Sequence, residues 1–122
     1  MKKVLFAVVF LIGTTVSFGQ DNTTAVCGTK IALSQAKDAG KIVMKLPTNV
    51  SSEDVQLYAA YYEKTFTVSF NAQSHEVTFN MITNDANSRR IILRFLSANQ
   101  IQNVIVENRV YNITDFYENF LK

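Results

Sequence analysis

The sequence predicts a small α+β domain in which helices cover one face of an antiparallel sheet, and three observations support this. Apolar and polar residues alternate through 65–70 and again through 76–81, as in strands with one buried face. Apolar residues recur at spacings of three and four within 55–62 and 91–96, as in amphipathic helices. Both patterns lie in the 103 residues (122 − 19) after the first 19, a length that suits one compact domain.

The first 19 residues have the pattern of a secretory signal peptide. Two lysines precede an apolar run from Val4 to Gly13, and a small-residue site follows at 17–19. We therefore expect residues 1–19 to be removed on export and the mature chain to begin at Gln20. The apolar run has about ten residues, whereas a bilayer-spanning helix needs roughly 20, so we expect no permanent membrane span after cleavage.

Residues 20–40 are expected to form a flexible or partly helical lead-in. Its first half, up to Thr29, consists of polar and small residues without any period. The segment 31–39 fits a short helix closed by Gly40, but it also fits an edge strand, and the pattern leaves both alternatives open.

The domain proper is predicted to span residues 41–122. It begins with the apolar run 41–46, a buried strand that ends at Pro47 because proline has no N–H to donate. Ser51 is placed to cap the next helix, and the apolar stripe of that helix continues to about Lys64.

Two half-buried strands follow, at 65–70 and 76–81. The loop between them is short enough for a hairpin, so we expect the two strands to be antiparallel neighbours. A polar stretch then offers Asp85 or Asn87 as the cap of a second helix, which runs to about Asn99.

The last part of the chain adds strand and helix patterns. Segment 104–106 is predicted as a strand, and 109–113 either extends it past Asn108 or returns as its partner. Thr114 is placed to cap a final helix through Leu121. The domain order is therefore β-α-β-β-α-β with a C-terminal extension, which predicts a ferredoxin-like split βαβ sandwich. Many functions use this arrangement, so it indicates none by itself.

The stretch from Lys41 to Val106 resembles heavy-metal-associated domains in its element order and in its 66–81 hairpin. Those domains carry a Cys-x-x-Cys metal loop between the first strand and the first helix, but the corresponding loop here, 47–52, has no cysteine. The resemblance implies a ferredoxin-like fold and, as an alternative function, a small-ligand or metal carrier that has lost its cysteine loop. The signal sequence is similar to those of flavobacterial envelope proteins.

Charge and cysteine content restrict the classes of function. The net charge of +2 is due to Lys2 and Lys3, so the mature chain has ten basic and ten acidic side chains. This balance argues against a general affinity for nucleic acid or anionic lipid. Cys27 is the only cysteine, so no internal disulfide forms. It is either an inert buried thiol or a candidate reactive thiol through which two copies would pair.

The residues that could do chemistry do not form a recognisable catalytic or metal-binding set. His75 is the only imidazole, and the sequence has neither a Gly-x-Ser-x-Gly turn nor a phosphate-binding glycine cluster. A copper(I) site at Cys27 and His75 would need Met44 or Met81, which the strand patterns assign to the core. We therefore predict that the protein is not an enzyme and binds no cofactor.

Aromatic residues and arginines provide the candidate partner surface. Tyr61 falls outside the inward stripe of the first helix, and Tyr117 belongs to a C-terminal segment crowded with aromatics. Arg90 and Arg94 stand one turn apart on the exposed side of the second helix. In the alternative, the aromatics complete the core and the arginines are merely solvated.

Together these features predict a secreted, non-enzymatic binding domain of the bacterial envelope with a protein partner. Its location would be periplasmic, at the cell surface or outside the cell. An exposed strand edge offers a second docking mode, in which the partner adds a strand to the sheet.

Overall fold

The computed structural model describes residues 22–122, so the predicted signal peptide at 1–19 and the start of the mature chain at Gln20 lie outside the described residues. The described part contains six strands: β1 Thr24–Val26, β2 Lys41–Lys45, β3 Phe66–Asn71, β4 Glu76–Met81, β5 Asn103–Val106 and β6 Arg109–Asn112. It contains four α-helices: α1 Lys30–Ala39, α2 Ser52–Ala59, α3 Ala86–Ala98 and α4 Ile113–Phe116. A 3₁₀ turn, Ala60–Tyr62, extends α2, and a π-helical turn, Tyr117–Leu121, extends α4. None of these helices is both long enough and apolar enough to cross a membrane.

All six strands belong to one mixed sheet in the order β3-β4-β2-β1-β5-β6. Neighbouring strands are antiparallel except for β1 and β5, which are parallel. The predicted α+β class is confirmed, and β2-α2-β3-β4-α3-β5 follows the predicted order along the chain. The ferredoxin-like strand order is not confirmed, because β1 lies between β2 and β5.

The predicted lead-in contains an interior strand and a helix. β1 pairs with β5 on one side and meets β2 on the other through Val26 and Lys45. The segment after it takes the helical alternative: the Thr29 hydroxyl accepts a hydrogen bond from the Ala32 N–H at 3.1 Å. Gly40 ends this helix in the left-handed region, at a φ of 71°.

Gly40 is a position where a side chain should be costly. A Cβ there would lie 3.3 Å from both Cγ and Nδ2 of Asn84, whose amide donates to the Lys37 carbonyl at 2.8 Å. We expect Gly40→Ala to lower the free energy of unfolding by about 1–2 kcal/mol, as the left-handed backbone is strained for alanine. Gly28→Ala is the control, because nothing lies within 4 Å of its Cβ. If urea titrations gave equal losses of unfolding free energy for the two variants, the left-handed backbone at Gly40 would not be the cause of the effect.

Tight turns set the register of both hairpins. In the β3–β4 turn, the Asn71 side chain accepts two backbone N–H groups of the loop, and His75 has a φ of 61°. In the β5–β6 turn, Glu107 and Asn108 have φ values of 51° and 70°. Two consecutive positive φ values are typical of the type I′ turn, which reverses the chain within two residues. Segment 109–113 therefore returns as the partner of β5.

The cap of the last helix differs from the sequence prediction. Asn112, and not Thr114, is the N-cap of α4, because its side-chain oxygen accepts the Asp115 N–H at 2.8 Å. Asparagine and threonine are both good caps, so composition alone does not distinguish these two starting points. The predicted caps Ser51 and Asp85 do cap α2 and α3.

The core lies between the sheet and the helices. The Phe79 ring packs edge-on against Phe66 at 5.4 Å and against Phe95 at 5.2 Å between centroids, and all three side chains are fully buried. In β2, Ile42 and Met44 face this core, while the alternate residues Lys41, Val43 and Lys45 are exposed. The opposite face of the sheet at β2 is therefore open.

A buried arginine connects three segments of the fold. Arg89 of α3 is 8% exposed, and its Nε donates to the Leu121 carbonyl. Its guanidinium also donates to the Asn84 side-chain oxygen at 2.6 Å. Because Asn84 in turn donates to the Lys37 carbonyl, these bonds join α3, the C-terminal turn and the end of α1.

Candidate functional site

A largely apolar groove lies between α1 and β2. Its volume is about 460 Å³, within the roughly 300–1,000 Å³ of clefts that bind small molecules. It is lined by side chains of α1, by β2 and by the end of β1, including Ala32, Leu33, Ala36, Val43, Lys45 and Cys27. The side chains that α1 contributes to the groove are short, because two of them are alanines.

The groove exists because β1 separates from β2. In the described chain, Val26 and Lys45 are the one residue pair that joins the two strands. Beyond this pair the backbone follows β5, with the Cys27 N–H donating to the Ile105 carbonyl at 2.8 Å. Gly28 likewise bonds to the β5–β6 turn and not to β2. The remaining length of β2 therefore runs beside α1.

The hydrogen bonds at the two ends of β2 show which residues bond to β4. The Met81 N–H donates to the Gly40 carbonyl, and the Leu46 N–H donates to the His75 carbonyl, both at 2.8 Å. Hydrogen-bonded pairs recur at every second residue of an antiparallel ladder, so the even-numbered residues of β2 bond to β4. The odd-numbered residues direct their backbone groups to the other edge of the strand.

That other edge of β2 is mostly without a neighbouring strand. Lys45 meets Val26 there, but the described residues place no strand beside Lys41 or Val43. Val43 lines the groove, and its side chain is 39% exposed. The groove thus combines apolar walls with backbone N–H and C=O groups, which need a partner whenever they are covered.

Cys27, the candidate reactive thiol, forms part of the core next to this groove. The side chain is 6% exposed, and burial raises the pKa of its thiol to about 12. The thiolate is the nucleophilic form, so a thiol that stays neutral near pH 7 is poorly reactive. These surroundings favour the inert alternative over the formation of a disulfide between two copies.

We expect Cys27 to react slowly in the folded chain. Raising the pKa from 9.0 to about 12 lowers the thiolate fraction at pH 8 by about a thousandfold. Alkylation by iodoacetamide, followed by mass spectrometry, should therefore be at least about 100-fold slower in buffer than in urea. Similar rates in the two solvents would show that the thiol is accessible in the native state.

The four residues predicted as a partner surface differ in exposure. Tyr61 lies in solvent, 68% exposed, and Leu57 one turn before it is 53% exposed. Tyr117 is 6% exposed, and its hydroxyl donates to the Ala86 carbonyl at 3.2 Å. The ring of Tyr117 is therefore packed into the fold and is not available to a partner.

The two arginines lie on the outer side of α3. Arg90 and Arg94 are exposed and border the same shallow depression. The Arg90 guanidinium lies 5.7 Å from the centroid of the Tyr117 ring, an arrangement typical of a cation–π contact. Arg90 thus covers part of the Tyr117 ring. Tyr61 belongs to a different element, the turn that extends α2.

The loop that corresponds to the metal loop of heavy-metal-associated domains has a structural role here. The Ser51 hydroxyl accepts the Asp54 N–H at 3.1 Å and so caps α2. His75 lies in the β3–β4 turn with its ring edge-on to Phe70 at 5.4 Å. Within residues 22–122, no three histidine, cysteine, aspartate or glutamate side chains form a group suited to holding a metal ion.

The sequence matches no protein-family model, and no curated protein or solved structure matches it. The site is therefore interpreted from its own geometry. Sequence reasoning did not find the groove, although one signal was present: Ala32 and Ala36 are small residues one helical turn apart. Two such residues leave space beside one face of a helix, but they also occur where a helix packs closely against another element. The spacing therefore does not by itself predict a groove.

Proposed function

We propose that the mature chain is an exported, non-enzymatic binding domain of the bacterial envelope that holds a segment of another protein in the groove between α1 and β2. The observation that carries this proposal is the groove itself, with its apolar walls beside an incompletely paired strand. Export is supported by the signal pattern of residues 1–19, and the balanced charge of the mature chain favours recognition by shape and apolar contact.

The groove is better suited to contact than to chemistry. Burial keeps the Cys27 thiol neutral, and the two charged residues of the lining, Lys45 and Glu76, lie opposite each other on β2 and β4. Opposite charges at paired positions of neighbouring strands attract each other. A bound segment would therefore meet mainly alanine, leucine and valine side chains.

We further propose that a ferredoxin-like unit underlies the sheet. In that arrangement the first and last strands are antiparallel neighbours. Here β1 is antiparallel to β2 and parallel to β5, so β5 runs antiparallel to β2 although β1 separates them. The six-stranded sheet is then a split βαβ unit with β1 inserted and β6 added at its edge.

Crosslinking from the groove tests the proposed function. A photo-reactive amino acid at Ala32 of the full chain, produced in the bacterium that exports it, should yield an adduct with a second polypeptide. The same amino acid at Ala39 is the matched control, because Ala39 is exposed on the same helix but does not line the groove. Equal adducts from both positions, or none from Ala32, would contradict the proposal.

A small-ligand or metal carrier is the second candidate, and the volume of the groove favours the small-ligand form. Native mass spectrometry of the mature protein distinguishes the two candidates. A mass increase equal to a small organic molecule would favour the carrier, whereas an increase equal to a polypeptide would favour the binding domain. An increase equal to a metal ion would favour the metal form of the carrier.

A further inference from the structure

We infer that the groove receives an extended peptide segment, which adds a strand to the free edge of β2 and pairs with the backbone of Lys41 and Val43. This inference rests on the proposed function and specifies how the partner is held. It follows from three features of the groove: its strand edge, its length and its side chains.

The strand edge is the first feature. The N–H and C=O of Val43 point away from β4, toward the other edge of β2. Opposite Val43 the chain that follows β1 no longer pairs with β2, because it pairs with β5 instead. An apolar small molecule would cover this N–H and C=O without replacing their hydrogen bonds to water, which is unfavourable. An extended peptide replaces both bonds at once, because one residue opposite Val43 donates to its carbonyl and accepts from its N–H.

The available length is the second feature. The Val26–Lys45 pair limits the free edge at one end, and the Gly40 turn that joins α1 to β2 limits it at the other. The free edge therefore covers the four residues from Lys41 to Met44. At about 3.3 Å per residue this length matches roughly four residues of an added strand. The added strand would continue the line that β1 follows up to Val26.

The side chains of the groove are the third feature. Ala32 and Ala36 form the α1 wall, and Leu33 between them is buried. Because these alanines are small, the partner's strand has room for apolar side chains on the face that it turns toward α1. The opposite charges of Lys45 and Glu76 compensate each other, so the lining carries no net charge for an acidic or basic segment to meet. We therefore assign the site to an uncharged, extended segment with alternating apolar residues.

The probe for this inference is a displayed library of linear peptides, selected on the mature chain. The tightest peptide is then synthesised with a single backbone N-methyl group at each position in turn, which removes one donor and leaves every side chain in place. A peptide that adds a strand should lose at least about tenfold in affinity at one residue, or at residues two apart, and tolerate the change between them.

Two further measurements use the protein itself. In the free chain, amide hydrogen exchange should be faster at Val43 than at Ile42 or Met44, and binding of the peptide should slow exchange at Val43 by about tenfold or more. Val43→Pro removes the N–H that faces the groove and should abolish binding. Val43→Ala keeps that N–H and should change the affinity only a few-fold.

The outcomes separate this inference from the proposed function. If N-methylation is tolerated everywhere and Val43 exchange is unchanged, the partner is held by side chains alone and the inference fails. If Ala32→Phe, which fills the groove, also leaves the affinity unchanged, then the proposed function fails as well. Should Val43→Pro fail to fold, the N-methylated peptides still decide the inference. A library that yields no binder contradicts both.

Discussion

Replacing Arg89 by methionine is expected to lower the free energy of unfolding by about 3 kcal/mol. The arginine is 8% exposed and donates to the Leu121 carbonyl and the Asn84 side chain. Methionine fills a similar volume, but it leaves these two acceptors without their charged donor. A lost hydrogen bond to a charged group costs about 1.5–3 kcal/mol, and the carbonyl of the buried residue Leu121 adds to the loss when it is left unsatisfied. Guanidinium chloride titration of the mature chain measures the change.

Arg94→Met is the matched control for this experiment. Arg94 belongs to the same helix and is exposed, so its replacement should change stability by no more than about 0.5 kcal/mol. Arg89→Lys keeps the charge but not the planar fork of donors, and it should fall between the two methionine variants. If Arg89→Met were as stable as Arg94→Met, the hydrogen bonds of Arg89 would not stabilise the folded state.

Replacing Phe79 by alanine is expected to lower the free energy of unfolding by about 3–5 kcal/mol, the usual range for a buried phenylalanine. Its ring touches Phe66 and Phe95 edge-on, so the substitution removes two aromatic contacts and leaves a cavity. Small domains have total stabilities of about 5–15 kcal/mol, so this variant should be close to unfolding. Thermal denaturation followed by circular dichroism measures the effect.

Two comparisons check the size of the Phe79 effect. Phe79→Leu retains most of the apolar volume and should lose less than half as much stability. Leu57→Ala removes a large side chain that is 53% exposed and should cost about 0.5 kcal/mol. A loss at Leu57 equal to the loss at Phe79 would show that the core is not centred on the aromatic cluster.

The local elements of this fold were predictable from sequence. The β3–β4 hairpin follows from alternation over six residues in each strand. The starts of α2 and α3 follow from Ser51 and Asp85, each of which accepts a backbone N–H three residues later. In each case the residues that form the pattern are the same residues that form the element, or lie within a few positions of it.

β1 was not predictable on the same basis. It has three residues, too few to show alternation, and it pairs with β5 about 80 residues later in the chain. Its position between β2 and β5 therefore depends on long-range packing. The groove was missed for the same reason, because it forms where β1 turns away from β2.

Helical spacing predicts the exposure of one of the two candidate tyrosines and not of the other. Tyr61 lies outside the regular stripe of α2 and is exposed, as helical spacing predicts. Tyr117 begins a π-helical turn, whose wider winding does not follow the 3.6-residue period used for the prediction. Both Tyr117 and Leu121, at the two ends of this turn, are buried.

The affinity of one library-selected peptide for three forms of the mature chain tests the groove most directly. The forms are the unmodified chain, Ala32→Phe inside the groove and Ala39→Phe outside it on the same helix. Isothermal titration calorimetry should show at least about tenfold weaker binding for Ala32→Phe and unchanged binding for Ala39→Phe, with circular dichroism confirming that both fold. Equal affinity for all three forms would contradict the assignment of the binding site to the groove between α1 and β2.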